Sequence, residues 1–472
     1  MQETDDKFER VLARKDVLSL AFGAMIGWGW VVLAGGWVKT AGSLGASLAF
    51  LIGSIVVIFI GLTYAELVAA MPLVGGEHVY SYRALGLTAA FICTWTIILG
   101  YVSVVAFEAV ALPTVIEYLA PNYVQGFLWN VAGWDVYATW VLVGVIGSIV
   151  ITIVNYVGIK TTAVLQNVLT GLVVIVGIMF ITGSLFNGST VNMQPFFVDG
   201  TKGIFGVLIA VPFMFVGFDV IPQAAAEINM PYKAIGKVLI VSVFMAAAWY
   251  ILIVLGVSRG LDAQAMSTTK LATADAMGAV FHTPWASKLM ILAGIGGIIT
   301  SWNAFFVGGS RAIYAMADAR MLPGFLAKLH PKYKTPTNAI LLIGIISIIA
   351  PFFGRKTLVW LVDAGGFGII IAYSMVALSF LVLRKKEPNM VRPFKVKHGT
   401  LVGYLAVILS LALALLYLPF SPSALVWPYE WGIFLIWMAL GIVFYVYARM
   451  KYGKATSDRI MQHEFSKLDI PK

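Results

Sequence analysis

The chain is 472 residues long, 60% of them hydrophobic and only 11% charged, under half the roughly 25% charge of a soluble domain. That balance excludes an ordinary soluble enzyme, because so much apolar surface calls for lipid on the outside of the protein. A net charge of +10 would raise nucleic acid as a partner in a soluble protein, but in a chain that crosses a bilayer it follows from cations kept on the cytoplasmic side, so no nucleic-acid role is expected.

Residues 1–16 are polar and lack the basic-then-apolar signature of a cleaved signal peptide, so they read as a cytoplasmic tail. Apolar runs then predict twelve spans of about 20 residues each. The first five are expected at 17–38, 44–70, 88–119, 137–157 and 163–185, and the next five at 203–226, 235–257, 289–317, 338–353 and 358–383. Two more, at 401–419 and 431–448, precede a second cytoplasmic tail at 449–472. With the N-terminus inside, most of the 32 Lys and Arg fall on cytoplasmic segments, above all Arg384-Lys385-Lys386 and the tail from Arg449. Every basic residue can be placed in a loop, a tail or a span end. An even number of spans puts both termini in the cytoplasm, as suits a multi-pass protein of the plasma membrane or a bacterial inner membrane.

Two spans are interrupted at mid-membrane depth. The first contains Gly23-Ala24-Met25-Ile26-Gly27-Trp28-Gly29; the sixth contains Pro212 and then Phe215-Val216-Gly217-Phe218-Asp219-Val220-Ile221-Pro222. Gly and Pro are common in membrane helices for packing alone, and it is their pairing at matched positions that carries the reading. Five spans separate the two starts, so equivalent elements in the two halves have opposite orientations. That is the pattern of inverted repeats with broken helices, whose freed backbone groups line a substrate site. The expected class is an all-α integral membrane protein with one repeat at 17–185, a second at 203–383 and two additional spans at 401–448.

No GxxxxGK[ST] phosphate loop and no HExxH motif occurs, and no enzymatic activity or cofactor is expected. The one cysteine, Cys93, lies in an apolar run and suggests neither disulfide nor metal. His78, His282, His330, His398 and His463 all fall in predicted loops or tails. Among carboxylates, Glu66, Glu108 and Asp219 lie well inside spans, with Glu117, Glu227 and Asp363 nearer ends, and each is a functional candidate because an intramembrane charge needs polar company. Asp219 at the sixth-span break could hold a substrate cation beside unwound carbonyls, or cap backbone amides. Glu66 reads as part of an inner gate or packing network, and Glu108 as an entry-vestibule or structural residue. Amides exposed around Trp28 and Gly29 would open a new half-helix suited to a carboxylate, while carbonyls near Gly23, Met25 and Ile26 suit a cation. Together they complement a zwitterion, hence an amino acid or a similar amine.

These residues resemble the amino acid–polyamine–organocation transporters. Residues 23–29 are similar to that family's GxxIGxG break, Tyr64-Ala65-Glu66-Leu67 to its YAEL, and Pro72-Leu73-Val74-Gly75-Gly76 with Tyr80 and Tyr82 to its loop before the third span. Phe215-Val216-Gly217-Phe218-Asp219 with Glu227 and Pro231 resembles its sixth-span motif, and Ser310-Arg311-Ala312-Ile313-Tyr314-Ala315-Met316-Ala317 its SRxxYAMA. The resemblance implies a leucine-transporter-like fold of five plus five inverted spans with two more at the end. It implies that a substrate carboxylate meets the amides of Trp28 and Gly29, that its amino group meets the carbonyls of Met25, Phe213 and Val216, and that Phe305 faces its side chain. In sodium-coupled members of this fold, oxygens at positions equivalent to Gly23, Ile26, Gly297, Thr300 and Ser301 hold the ion; the hydroxyls could instead bond back to their own helix. The fifth-span Lys of some proton-coupled relatives falls at Val173 and the accompanying third-span Glu at Gly100, which argues against that proton mechanism. Sodium ion and proton both stay open as coupling ions, as do symport, exchange and uniport. Trp28 and Trp30 stand where the family often has small or β-branched residues and face either the cavity or lipid. The expected function is secondary active transport of amino acids or related amines by alternating access. The alternatives are a polyamine or amine carrier without carboxylate recognition, a channel, and a substrate-sensing receptor; the oligomeric state is open.

Overall fold

The computed structural model describes residues 8–269, 271–466 and 468, so that part of the expected tails, residues 1–7, 467 and 469–472, lies outside the described residues. Among the described residues ten helices are long and apolar enough to cross a membrane, and Thr337–Phe353 and Gly399–Leu415 are shorter apolar helices. The chain is thus a helical multi-span membrane protein.

Helix α1 (Arg14–Met25) starts with the Asp16 carboxylate accepting from the Ala13 amide at 2.8 Å, an acid where the helix dipole favours one. The chain breaks after Met25 and resumes as α2 (Gly29–Val32) and α3 (Ala34–Ala41). Next come α4 (Ser43–Ala70), a short α5 (Glu77–Leu85) and α6 (Leu87–Leu119). The connection that follows adds to the helical fold a short hairpin that was not expected: β1 (Phe127–Val131) and β2 (Trp134–Tyr137) pair antiparallel. Aromatic and β-branched residues flank Ala132-Gly133, both at positive φ, which is a two-residue hairpin turn matched to the twist of its strands.

Two long helices follow, α7 (Ala138–Val157) and α8 (Ile159–Asn187), before the second interrupted segment, α9 (Gly200–Leu208), α10 (Val211–Phe215) and α11 (Val220–Gln223). The remainder is α12 (Tyr232–Gly260), the short α13 (Ala263–Thr268) and α14 (Ala272–Val280), α15 (Pro284–Asp318), α16 (Thr337–Ile349), α17 (Thr357–Lys386), α18 (Gly399–Leu415), α19 (Tyr429–Tyr452) and α20 (Lys454–Ser466). Most ends fall within a few residues of the expected limits. Helix α18 stops at Leu415 rather than 419, because Pro419 pushes the residue before it out of helical geometry.

Helix α6 runs through the interior with 94% of its apolar window buried, between α15 and α17, whereas α19 at 17% lies on the periphery. On α8, Val164, Val168, Ile175 and Ile178 are exposed along one face, apolar side chains turned outward as lipid requires. Two expectations about charge need correction. Arg311 is only 1% exposed inside α15, tolerated there because Glu227 bonds it with both carboxylate oxygens. His78 is buried on α5 rather than exposed in a loop.

Candidate functional site

The two breaks meet each other. Gly217 takes φ +136°, and a β-carbon there would stand 2.7 Å from the Ala24 Cβ and 3.0 Å from the Met25 amide nitrogen. Both the dihedral and the space call for glycine. Around this contact lies a cavity of about 20 Å³ lined by Ala24, Met25, Gly27 and Gly29 from the first break, Val104, Phe107 and Glu108 from α6, Phe213 and Met214 from α10, Tyr250 from α12, and Ser301 and Phe305 from α15. That is room for about one water. Larger hollows exist, such as the groove of about 610 Å³ beside Lys395–Leu401, but that groove is lined by no residue of either break.

Of the residues expected at a substrate site, Met25, Gly29, Phe213 and Phe305 line the cavity, while Trp28, Val216 and Asp219 do not. The Met25 carbonyl accepts from the Tyr250 hydroxyl at 2.5 Å, and the Ile26 carbonyl from the Trp30 indole at 3.1 Å. Trp28 and Trp30 face neither cavity nor lipid. Both are fully buried, Trp28 against Gly294 of α15, where a β-carbon would come within 2.0 Å of its ring, and Trp30 edge-on to Trp249 at 5.2 Å.

Glu108 reaches the first break instead of an outer vestibule. A β-carbon on Gly27 would lie 2.6 Å from the Glu108 Oε1 and 2.7 Å from the Ser301 hydroxyl oxygen, so the carboxylate and Ser301 both stand against the break. Gly100, where an acid was sought by analogy, packs on Ile369; Glu108 stands about two helical turns further along α6. An acid of α6 thus reaches the first break from a position other than Gly100. On the fifth-span side, Gln166 and Thr170, not Val173, face Gly23, since a β-carbon there would come within 2.6 Å of both side chains.

The five oxygens considered for an ion come together where α1 ends against α15. Thr300 donates to the Gly23 carbonyl at 3.1 Å and lies 3.0 Å from the Gly297 carbonyl, a β-carbon on Gly297 would be 3.2 Å from the Ile26 carbonyl, and one on Gly27 would be 2.7 Å from the Ser301 hydroxyl oxygen. Beyond them runs a buried amide chain that sequence reading missed: Gln166 donates to the Ser19 carbonyl at 3.1 Å, Asn303 to Gln166 at 2.9 Å and Asn155 to Asn303 at 3.0 Å. Buried amides in apolar helices were the available signal.

Asp219 belongs to a second polar cluster. One oxygen accepts from the Tyr101 hydroxyl and the other from the Gly217 amide, each at 2.7 Å, so the side chain braces the break and α6. Nearby, Glu77 of α5 accepts from Gln223 of α11. Burial, with the Asp219 charge next, holds the Glu77 carboxyl well above the usual carboxylate range. Burial also pushes the adjacent His78 imidazole down to about 4, and neither of its ring nitrogens has a hydrogen-bond partner among the described residues. Glu66 is a packing hub: it pairs with Arg384 at 2.5 Å and Arg392 at 2.9 Å and accepts from the Val396 amide.

With this geometry in place, comparison with known proteins is specific. The profile of the family described as amino acid permease matches residues 12–445. The chain is similar to the branched-chain amino acid permease BcaP of Bacillus subtilis (strain 168), 28% identical over 471 residues with 95% of each chain covered. It is also similar to the methylthioribose transporter of the same organism, 27% identical over 467 residues with 95% of each covered. The aspartate-proton symporter, again of that organism, is 24% identical over 420 residues, covering 85% of this chain and 78% of its own.

Proposed function

The chain belongs to the amino acid permease family, a match that takes in residues 12–445, and from that premise we propose that it is a secondary active transporter of amino acids or closely related amines. It works by alternating access around the two breaks, in a twelve-span arrangement of five plus five inverted spans and two more, with both termini in the cytoplasm. The observation that carries this reading is the cavity where the breaks meet, lined by Met25, Gly27 and Gly29 of the first, Phe213 and Met214 of the second, and the polar Glu108, Tyr250 and Ser301 beside them. Phe107, Phe213, Met214 and Phe305 suit an apolar side chain, in keeping with the relative named for branched-chain amino acids.

A second reading has its own support. Glu108 lines the cavity against Gly27, beside the place where a substrate carboxylate would bind. An amine without a carboxylate would avoid repulsion there and meet the Glu108 charge directly. For coupling, the Thr300 and Ser301 hydroxyls with the nearby carbonyls are hard oxygen donors of the kind sodium takes, and Glu108 beside them is a group that a proton could neutralise.

The test is uptake into proteoliposomes of radiolabelled leucine and its decarboxylated amine, with sodium and proton gradients imposed separately. Saturable accumulation of leucine well above that of the amine is expected. Equal accumulation would establish the amine reading, non-saturating flux a channel, and binding without uptake a sensor. If sodium drives uptake, Thr300→Val should abolish that dependence.

A further inference from the structure

We propose that Met214 is a displaceable cover over the amide end of the substrate cavity, and that its side chain sets which substrates are admitted. The inference rests on reading the cavity between the breaks as the substrate site. Met214 is 4% exposed, and its thioether lies against Gly29: a β-carbon on Gly29 would stand 2.7 Å from the Sδ and 3.0 Å from the Cε. Gly29 is the first residue of α2, so its amide has no intrahelical acceptor. An apolar side chain thus lies against the backbone where the chain resumes after the first break.

At about 20 Å³ the cavity cannot take in an amino acid, so part of its wall has to move. The aromatic wall is braced. Phe107 packs edge-on to Phe213 at 5.6 Å, Phe305 against Tyr101 at 5.5 Å, and Tyr250 is stacked on Phe50 at 5.0 Å while bonding the Met25 carbonyl. Met214 has an unbranched chain with three rotatable bonds and no ring to lock it. Of the side chains that the second break gives the wall, Phe213 and Met214, it is the one that swings more readily, and the volume it sweeps is volume that a bulky substrate must also use. The cover therefore discriminates by size: a small substrate shares the space with the displaced thioether, and a large one competes with it.

The test compares uptake of radiolabelled alanine, leucine and phenylalanine by the full-length protein and by three variants in proteoliposomes. Met214→Ala removes the cover and should lower KM for leucine and phenylalanine by about tenfold, equivalent to about 1.4 kcal/mol, with a smaller change for alanine. Met214→Ile, branched at Cβ and stiff at χ1, should raise KM for all three, most for phenylalanine. Met214→Leu keeps the packing volume and should fall between parent and Ala variant. A residue that merely filled space would shift all three variants in the same direction. KM ratios among the three probes that stay within twofold of the parent in folded variants overturn the proposal alone. Failure of the parent to take up any of the three overturns the substrate reading and this proposal with it.

Discussion

Removing the carboxylate of Glu227 should be among the most damaging single changes in the protein. Glu227 and Arg311 are 3% and 1% exposed and meet through two bonds, Nε to Oε1 at 2.8 Å and Nη2 to Oε2 at 3.2 Å. Glu227→Gln would leave a buried guanidinium with the Ser310 hydroxyl at 3.0 Å as poor compensation, and a guanidinium cannot shed its proton. Uncompensated buried charges of this kind cost about 3–5 kcal/mol. Arg311→Met strands the carboxylate instead and should also destabilise. The double variant Glu227→Leu with Arg311→Met should return to within about 1 kcal/mol of the parent, since well-packed apolar replacements of buried pairs are often neutral. Cys93 supplies the assay: it is the one cysteine and fully buried, so thermal unfolding in detergent can be followed by its reaction with a thiol-specific dye. A double variant that melts as early as Glu227→Gln would refute the reasoning, for the loss would then come from packing rather than from stranded charge.

Gly217→Ala should destabilise by about 1–3 kcal/mol from backbone strain and abolish uptake as well, because its β-carbon would push Ala24 and Met25 apart; normal uptake by the variant would mean that the two breaks do not depend on their contact. His78→Phe should change how stability depends on pH. Burial sets the folded imidazole at about 4 against an ordinary 6.5, so its neutral form contributes stability above 6.5 that is lost as pH falls toward 4, at about 1.4 kcal/mol per pH unit. Between pH 7 and pH 5 the parent should therefore lose roughly 2 kcal/mol relative to the variant, and parallel melting curves across that range would count against a buried neutral His78.

What the sequence made legible follows from what patterning can encode. Glycine and proline at apolar depth announce a break in a helix whatever surrounds it, and both interruptions occur where those residues cluster. The direction of a side chain at a break is another matter, because the helical period that would set its face is lost there. Asp219 could be recognised as an intramembrane acid, but not as one turned toward Tyr101. The same limit applies to Trp28 and Trp30, since a helix apolar on every side has no polar face from which to tell lipid from protein. Glu108 was placed in the outer part of its span, yet only the approach of α6 to the first break, permitted by Gly27, shows what it touches. The hairpin at residues 127–137 was readable from its aromatic and β-branched residues around Ala-Gly, and a search for long apolar runs passed over it.

The hydrogen bonds at the cavity bear on the transport cycle. A carrier working by alternating access must pass between its two forms empty as well as loaded. Broken helices make this difficult, since a vacant site would leave backbone donors and acceptors without partners in an apolar interior, at about 1–3 kcal/mol each. Here the protein provides substitutes: Tyr250 for the Met25 carbonyl and Trp30 for the Ile26 carbonyl. Two of the backbone groups proposed for a zwitterion or ion are thus satisfied within the protein while the site is closed. Each substrate bond then replaces an internal one instead of filling a vacancy, so the gain per contact is small. The expected result is modest affinity joined to an empty state stable enough to return, which is the combination that a carrier needs and a tight receptor does not.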